Sequence, residues 1–404
     1  MTELDRLITE LCPDGVEYVP LWTITTWDKK FNVVNRAKQP AVINYPYLLA
    51  KDLFALEQKN GDVFLLSTGE KTGWTTEKLA GDFLCEGEVV TIPWGKSRPA
   101  HDVLKYYKGK FITADNRIAT SNNTDVLLNK YLYYWMMTQG ETIDSFYRGS
   151  GIQHPSMADV LDMIIPLPPL PIQREIVRIL DKFTELTAEL TMKLEAELEL
   201  RKRQHEYYRN SLLTFNANFD TMKKTADSRR VVRLMTLGEI YDFQYGKGNV
   251  IPTSGGIYPV YGSNGIAGNH SEYNSEDSPV IGHIGAYAGI VNWGHGKHFV
   301  TYNGVICKWK NKNVNQRFAY YLLLSQDFGS QARSASQPFV SYDILQKTIV
   351  LIPTMSEQER IVSILDRFDT LTTDITSGLP AEITARQKQY EYYRDKLLTF
   401  KMIA

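Results

Sequence analysis

Residues 172–215 have the sequence IQREIVRILDKFTELTAELTMKLEAELELRKRQHEYYRNSLLTF, and residues 357–400 have the sequence EQERIVSILDRFDTLTTDITSGLPAEITARQKQYEYYRDKLLTF. The two stretches align without a gap at a shift of about 185 residues, so the chain contains an internal repeat. The ILDKF segment at 179–183 matches ILDRF at 364–368, and both copies end in YYR followed by LLTF. A fold built around this repeat has two related halves.

Each copy has the periodicity of an amphipathic helix. Apolar residues recur at steps of three and four, which place them on one helical face. In the first copy these are Ile176, Leu180, Phe183, Leu186, Leu190 and Leu194, and in the second they are Ile361, Leu365, Phe368 and Leu371. A helix from 172 to 213 is roughly 60 Å long, too long for one small core, so we expect the second copy to be its partner. Pro380, after Gly378, predicts a break in the second copy.

The composition restricts the class of protein. A chain of 404 residues with 43% hydrophobic residues is typical of two or three globular domains. The N-terminus is acidic and the longest apolar stretch is interrupted by prolines, so we expect no membrane association. Three isolated cysteines fit a reducing cytoplasm and indicate neither a disulfide framework nor a zinc site. The net charge of −1 excludes a strong overall attraction to nucleic acid.

The repeat extends beyond the helices. The opening segments 15–24 and 232–240 are related, as are 131–134 and 318–321, whereas the variable regions between them, residues 25–163 and 241–347, share little sequence. Alternating runs with Gly and Asn turns predict short strands there. We therefore expect an α+β protein with a pseudo-twofold repeat: a globular domain at 1–160, a long helix at 161–216, a second globular domain at 217–345 and a second long helix at 346–404. Residues 216–230 are expected to be a linker.

No stretch has the pattern of a catalytic centre. Gly95-Lys96-Ser97 lacks the preceding glycine of a phosphate-binding loop, and the glycines of residues 262–268 have the wrong spacing for a dinucleotide site. His295 and His298 are three residues apart with no third metal ligand nearby. An Asn-Pro-Pro-aromatic tetrapeptide of adenine methyltransferases is absent, as is a nuclease core. The pattern favours a recognition or assembly subunit over an enzyme.

These residues resemble a known family. A Pro-x-Pro segment followed by QREIVRILDKF at 173–183 and YYR at 207–209 is similar to the repeated helices of specificity subunits of type I restriction–modification systems. The segment SEQERIVSILDRF at 356–368 is similar in the same way, and the resemblance covers the whole chain. The YGSNG segment at 261–265 and IGHIGAY at 281–287 resemble a common domain of the family, although His283-Ile284 stands where many relatives place a basic pair.

The resemblance implies a function. Each globular domain would be a target-recognition domain that reads one half of a bipartite, asymmetric site in double-stranded DNA, and the long helices would form an antiparallel coiled coil. The chain itself would be non-catalytic and hold no cofactor. It would recruit two methylation subunits, which use S-adenosylmethionine and flip out an adenine, and two motor-nuclease subunits, which use ATP and Mg. The four-residue units near Leu190 would set the length of the unread spacer, since each adds about 6 Å to the helix.

Base readout requires Arg, Lys, Asn or Gln on loops that face a groove, and other groups bind phosphates. In the first domain we predict the DNA contacts Lys71, Trp94, Lys96, Ser97, Arg98, Lys105, Lys108 and Lys110. In the second we predict Lys247, Asn249, Ser263, Asn264, His283, Tyr287 and Asn303. For the partner subunits and the coiled coil we add four tyrosines to the apolar residues named above: Tyr207, Tyr208, Tyr392 and Tyr393.

Two other interpretations remain open from the sequence. The chain could be an adaptor that joins two protein partners through its coiled coil without touching DNA. It could also be a self-contained methyltransferase or nuclease with an unrecognised site. The absence of methylation motifs disfavours the enzyme, and the two dissimilar variable regions disfavour the plain adaptor.

Overall fold

The computed structural model describes residues 2–95, 98–214, 232–248, 255–332, 338–373 and 378–403. The chain forms two compact units, one made of Met1–Met192 with Thr384–Ala404 and the other of Lys193–Ile383. We call them unit 1 and unit 2. The linker expected at 216–230 lies outside the described residues. Where the chain is described, no helix is both long and apolar enough to cross a membrane.

Unit 1 contains the first variable region, which is built around a six-stranded sheet. The short strands predicted for this region are present, among them those at Val63–Leu66 and Cys85–Pro93. The strands of unit 1 are β1 (Glu17–Pro20), β2 (Thr25–Trp27), β3 (Val63–Leu66), β4 (Gly73–Thr75), β5 (Cys85–Pro93), β6 (Lys105–Thr113), β7 (Asn116–Ser121), β8 (Tyr147–Arg148), β9 (His154–Pro155) and β10 (Ile164–Leu167). The sheet order is β2-β7-β5-β6-β3-β4, with β3 and β6 parallel and the other neighbours antiparallel.

Unit 2 contains the second variable region, and its sheet repeats the first. Its strands are β11 (Arg233–Thr236), β12 (Tyr241–Tyr245), β13 (Tyr258–Gly262), β14 (Gly265–His270), β15 (Ser275–Gly282), β16 (Val291–Val300), β17 (Gly304–Trp309) and β18 (Ile349–Ile352). The order β12-β17-β15-β16-β13-β14 has the same connectivity as the first sheet, again with one parallel pair, β13 and β16. Two regions with little sequence in common therefore share one topology.

The remaining elements are helices, in the variable regions as well as in the repeated segments. In unit 1 the helices are α1 (Glu3–Leu11), α2 (Leu21–Ile24), α3 (Ala50–Ala55), α4 (Glu77–Ala80), α5 (Ala100–Val103), α6 (Asn129–Thr138), α7 (Gly140–Ser145) and α8 (Met157–Leu161). The long helix α9 (Leu170–Leu213) begins in unit 1 and ends in unit 2. In unit 2 they are α10 (Leu237–Ile240), α11 (Gln316–Leu324), α12 (Tyr342–Lys347) and α13 (Met355–Thr373), and α14 (Leu379–Leu397) continues into unit 1.

The second long helix is interrupted, as Pro380 predicted. Helix α13 ends at Thr373 and α14 begins at Leu379, so the proline is the second residue of a new helix. A proline is tolerated in the first turn of a helix because the amide hydrogens there have no partner within the helix. The predicted break is confirmed.

The two cores are built in the same way from the apolar face of a long helix. Ile176 and Leu180 are buried in the core of unit 1 with Tyr131 of α6. Ile361 and Leu365 are buried in the core of unit 2. The apolar face of each long helix was predicted to pack on a partner helix. Its first residues instead pack against the globular part of their own unit. Only its later residues reach a second helix.

The end of the chain completes unit 1. Strand β1 pairs with β10, and the equivalent strands β11 and β18 pair in unit 2. In unit 1 the Val16 amide donates to the Lys401 carbonyl at 2.9 Å, and the Ile403 amide donates to the Val16 carbonyl at 3.1 Å. Gly15, with φ of +118°, has the Lys401 carbonyl oxygen only 2.5 Å from where a Cβ would lie, so a side chain would not fit there.

Candidate nucleic-acid interface

Each variable region is fixed to its long helix by the same buried glutamine. In unit 1 the Gln173 Oε1 accepts the Leu128 amide at 2.9 Å, and its Nε2 donates to the Val126 and Pro168 carbonyls, each at 2.8 Å. In unit 2 the Gln358 Oε1 accepts the Asn315 amide at 2.7 Å, and its Nε2 donates to a proline carbonyl at 2.9 Å. The two glutamines are equivalent in the repeat.

A tyrosine, an aspartate and a cation make a second connection. In unit 1 the Tyr134 hydroxyl donates to Asp181 at 2.6 Å, and the Lys130 ammonium lies 2.8 Å from the same carboxylate. In unit 2 Tyr321 donates to Asp366 at 2.6 Å, and Arg317 bonds with that carboxylate at 2.8 Å. Burial and the adjacent Asp181 carboxylate raise the pKa of Tyr134, so it remains a donor at neutral pH. These contacts hold each variable region in a fixed position on its own helix.

The loop of residues 67–71, between β3 and β4, is held from within by Lys105. The Lys105 ammonium donates to the Ser67 carbonyl at 2.6 Å and also to the Gly69 carbonyl. The Ser67 hydroxyl donates to the Lys71 carbonyl, closing the loop on itself. Burial lowers the pKa of Lys105 to about 8. Lys105, one of the predicted DNA contacts, thus uses its donors on this loop.

Trp94, a predicted DNA contact, has both ring faces covered. The His154 imidazole is stacked on it, with ring centroids 4.5 Å apart, and the Arg117 guanidinium carbon lies 3.8 Å from its ring centroid. Two groups that close to one centroid require opposite faces of the indole. The Trp94 carbonyl also bonds with His154 at 2.8 Å. The ring therefore has no free face on which a base could stack, and its neighbours hold it in place.

The exposed cations predicted to contact DNA in the first variable region lie next to glutamates. The Lys71 ammonium is 2.7 Å from Glu57, the Arg98 Nη1 donates to Glu70 at 2.5 Å and the Lys108 ammonium is 3.3 Å from Glu88. Lys110 is paired with Glu77. Lys96 and Ser97 lie outside the described residues. The loop contacts bring Lys71, Arg98 and Lys105 together, whereas Lys108 and Lys110 lie along β6.

The second variable region gathers its predicted residues around one polar cavity of about 430 Å³. Ser263, Asn264, Tyr287 and Asn303 line it, together with residues 265–267 and Thr301. The Ser263 hydroxyl donates to the Ile284 carbonyl at 2.8 Å and lies 3.1 Å from the Asn303 carbonyl, which fixes the three loops together. Gly265, with φ of +82°, allows the tight turn between β13 and β14.

Two further predicted residues flank this cavity. His283 is 6% exposed, and its Nδ1 donates to the Val340 carbonyl at 3.0 Å while its ring packs on Tyr245. We expect it to support the cavity wall rather than to touch DNA. Lys247 is exposed, and its amide donates to the carbonyl of Val300, next to the cavity residue Thr301. Asn249 lies outside the described residues.

The long helices carry exposed tyrosines beside their buried faces. In unit 1 the Phe183 and Tyr393 rings meet with centroids 6.1 Å apart, and the Thr184 and Tyr390 hydroxyls lie 3.0 Å apart. Because the later residue of α9 in these two pairs lies beside the earlier residue of α14, the two helices run antiparallel in this unit. An apolar groove between them is lined by Phe183, Leu186, Leu190 and Tyr393 among others. In unit 2 Tyr208 stacks on Phe368 at 5.4 Å. Leu194 and Leu371 are half-buried, and Tyr207 and Tyr392 are mostly exposed.

Both halves of the chain match one family model, the type I restriction modification DNA specificity domain, over residues 42–200 and 232–385. The chain belongs to this family. The two matches cover most of the first variable region, all of the second and much of the long helices, in agreement with the repeat.

Relatives of this specificity-domain protein span its full length. S.HindORF215P of Haemophilus influenzae is 31% identical over 405 residues, 95% of this chain and 96% of that protein. The EcoR124I/EcoR124II specificity subunit of Escherichia coli is 33% identical over 440 residues, 99% of this chain and 98% of that protein. A chain from a solved structure of type I R-M complex assembly has a TM-score of 0.59 at 14% identity and covers 96% of this chain and 98% of that chain. This likeness supports the fold.

Several residues that shape the specificity-domain regions were not among the predicted site residues. Gln173, Asp181 and their repeat partners are polar residues next to an apolar helical face. Their recurrence at the same repeat shift was the available signal. Arg117 and His154, which cover Trp94, are far apart in sequence and gave no signal. Among the described residues, no group of three or more His, Cys, Asp or Glu side chains is arranged to hold a metal ion.

Proposed function

We propose that this chain is the sequence-specific DNA-recognition subunit of a type I restriction–modification complex. Each variable region reads one half of a bipartite, asymmetric site. The observation that carries the proposal is the repetition of one sheet topology with different loops: the same six-strand order presents the polar cavity in unit 2 and the loop of residues 67–71 in unit 1. Two related frames with different loop chemistry suit the recognition of two different sequences.

The chain acts without a reaction centre of its own. It recruits two methylation subunits and two motor-nuclease subunits, which bring S-adenosylmethionine, ATP and Mg. The exposed tyrosines of the long helices, Tyr207, Tyr208, Tyr392 and Tyr393, support this proposal because exposed aromatic residues on helices are typical of protein interfaces. We place the complex in the cytoplasm, where the three free cysteines would stay reduced. The boundaries proposed for the recognition domains remain 1–160 and 217–345, with the conserved helices at 161–216 and 346–404.

Modification sequencing tests the proposal. The chain is produced with its methylation subunits in a host that lacks them, and methylated adenines are mapped genome-wide. A split motif with two defined halves is expected. Asn303→Ala should relax only one of the halves. If the complex assembles but shows no sequence preference, the adaptor interpretation is correct and the proposal fails.

The spacer between the two halves can be tested in the same way. Helix α9 is continuous through residues 191–194, and removing four residues shortens a helix by about 6 Å. Deleting Thr191–Leu194 should leave both half-sites readable and change the number of bases between them. An unchanged spacer in a complex that still methylates would contradict the role assigned to the helix.

A further inference from the structure

We propose that Arg98 reads a guanine in the half-site bound by the first variable region, and that Glu70 is the positioning residue that holds its guanidinium for that contact. This inference rests on the proposed function and adds to it a base, a contact residue and a residue that orients it.

The predicted DNA contacts of the first variable region differ in how many donor groups or ring faces the protein leaves unused. Lys105 is committed to the carbonyls of the 67–71 loop, and both faces of Trp94 are covered. A lysine ammonium is a compact point charge without the planar fork of arginine, and a neighbouring carboxylate offsets that charge. Lys71, Lys108 and Lys110 are all paired in this way.

Arg98 differs from these lysines because one edge of its guanidinium can bind a carboxylate while the other edge still carries N–H donors. Only its Nη1 is bonded, to the Glu70 Oε1 at 2.5 Å. Within the described part of the chain, its Nε and Nη2 make no hydrogen bond, and its side chain is 58% exposed. Parallel N–H groups on an arginine match the O6 and N7 acceptors of guanine in the major groove. Of the six predicted contacts that the structure describes in this region, Arg98 alone keeps such a fork.

Glu70 is itself held in place. It lies in the 67–71 loop, whose carbonyls accept from the buried Lys105 ammonium and whose ends are joined by the Ser67 hydroxyl. A carboxylate on an anchored loop limits the orientations of the Arg98 side chain. The same carboxylate draws the guanidinium away from the DNA backbone, since phosphate would have to compete with it. Glu70 therefore favours base contact over phosphate contact.

The ion pair is suited to this role because it contributes little to folding. Glu70 and Arg98 are 49% and 58% exposed, and surface pairs of this kind stabilise proteins by about 0–1 kcal/mol. Glu70→Gln, which keeps the size of the side chain, should therefore fold normally, as a thermal unfolding curve would verify.

The first experiment maps methylated sites for the full chain with its methylation subunits. We expect Arg98→Gln and Glu70→Gln to relax the same single position, a guanine in the wild-type motif. Loss of one bidentate pair corresponds to about 5- to 150-fold less discrimination at that base. Glu141→Gln is the matched control, because Glu141 is an exposed glutamate of the same variable region, in the first turn of α7; the motif read by this variant should be unchanged.

The second experiment measures affinity for a scrambled duplex as a function of salt. In Glu70→Gln the freed guanidinium can bind phosphate, so affinity should rise and the slope of log K against log salt should steepen by about 0.9, the value for one phosphate. The Glu70→Gln/Arg98→Gln double variant should lose this extra slope. A structural role for Glu70 alone would not steepen the slope.

Several results would overturn the inference. Relaxation at two different positions, at a base other than guanine or at none would show that Arg98 and Glu70 do not act together. Equal slopes of log K against log salt for Glu70→Gln and Glu141→Gln would show that the slope depends only on the total charge of the protein. In each case the wild-type complex would still recognise a split motif. Absence of any motif in the wild type would instead remove the proposed function.

Discussion

Gln173→Ala removes the buried side chain that joins the first variable region to its long helix. The Gln173 side chain is fully buried, and it makes three hydrogen bonds within 2.9 Å. Truncation leaves the Leu128 amide without an acceptor, at a cost of about 1–3 kcal/mol, and weakens the bonding of two carbonyls. We expect a total of about 3 kcal/mol, which is roughly a 150-fold change in the local opening equilibrium.

Hydrogen–deuterium exchange with mass spectrometry measures this change in the full chain. Amide exchange in a peptide covering residues 123–132 should accelerate by about two orders of magnitude, because exchange there follows local opening. Gln358→Ala is the reciprocal control: it should accelerate exchange around Asn315, whose amide it binds, and leave residues 123–132 unchanged. Exchange at 123–132 that is the same in wild type and Gln173→Ala would refute the reasoning.

Two further predictions concern stability. Burial raises the pKa of Asp28 to about 6, while bonding to the Ile118 amide and the nearby Lys29 and Arg117 charges oppose the shift. The folded state therefore binds this proton more tightly than the unfolded chain, and about 3 kcal/mol of stability present below pH 4 should be lost as pH rises to about 6. Asp28→Asn keeps an acceptor for Ile118 and should remove this part of the pH dependence in thermal unfolding curves; an unaltered dependence would contradict the assignment. Leu365→Ala should destabilise unit 2 by about 3–5 kcal/mol, since the side chain is fully buried, whereas Met192→Ala at an exposed position should change unfolding by less than about 0.5 kcal/mol. Similar losses for both variants in calorimetry would show that Leu365 is not a core residue.

The helices could be predicted closely from sequence because their signal is local. The helix expected at 172–213 is observed as Leu170–Leu213, and the break expected near Pro380 lies before Leu379. The common sheet order of the two variable regions could not be predicted. Their strands are short, and pairs such as β3 with β6 join residues more than forty positions apart. Contacts of that kind are decided by the whole chain rather than by any window of it.

The predicted site residues show the same contrast between what a local sequence signal can predict and what depends on long-range contacts. Ser263, Asn264, Tyr287 and Asn303 meet at one cavity because the segments that follow β13, β15 and β16 come together at Ser263. The arrangement of Lys105 was hidden from sequence reasoning, because a long side chain bonds with whichever backbone carbonyls lie within reach. The sequence offered residue types that can contact DNA in the first variable region, and the structure shows which of them have donors that the protein does not use itself.

The division of the chain into units has a consequence for its synthesis. Residues 384–404 belong to unit 1, where the Lys401 carbonyl accepts from Val16, whereas unit 2 needs only residues 193–383. At 5–20 residues per second, a ribosome takes about 10 to 40 s to go from residue 192 to residue 404. During that time unit 1 lacks residues 384–404, so part of its core is uncovered. Unit 2 can already fold. We therefore expect the nascent chain to depend on chaperones mainly through its earliest segment.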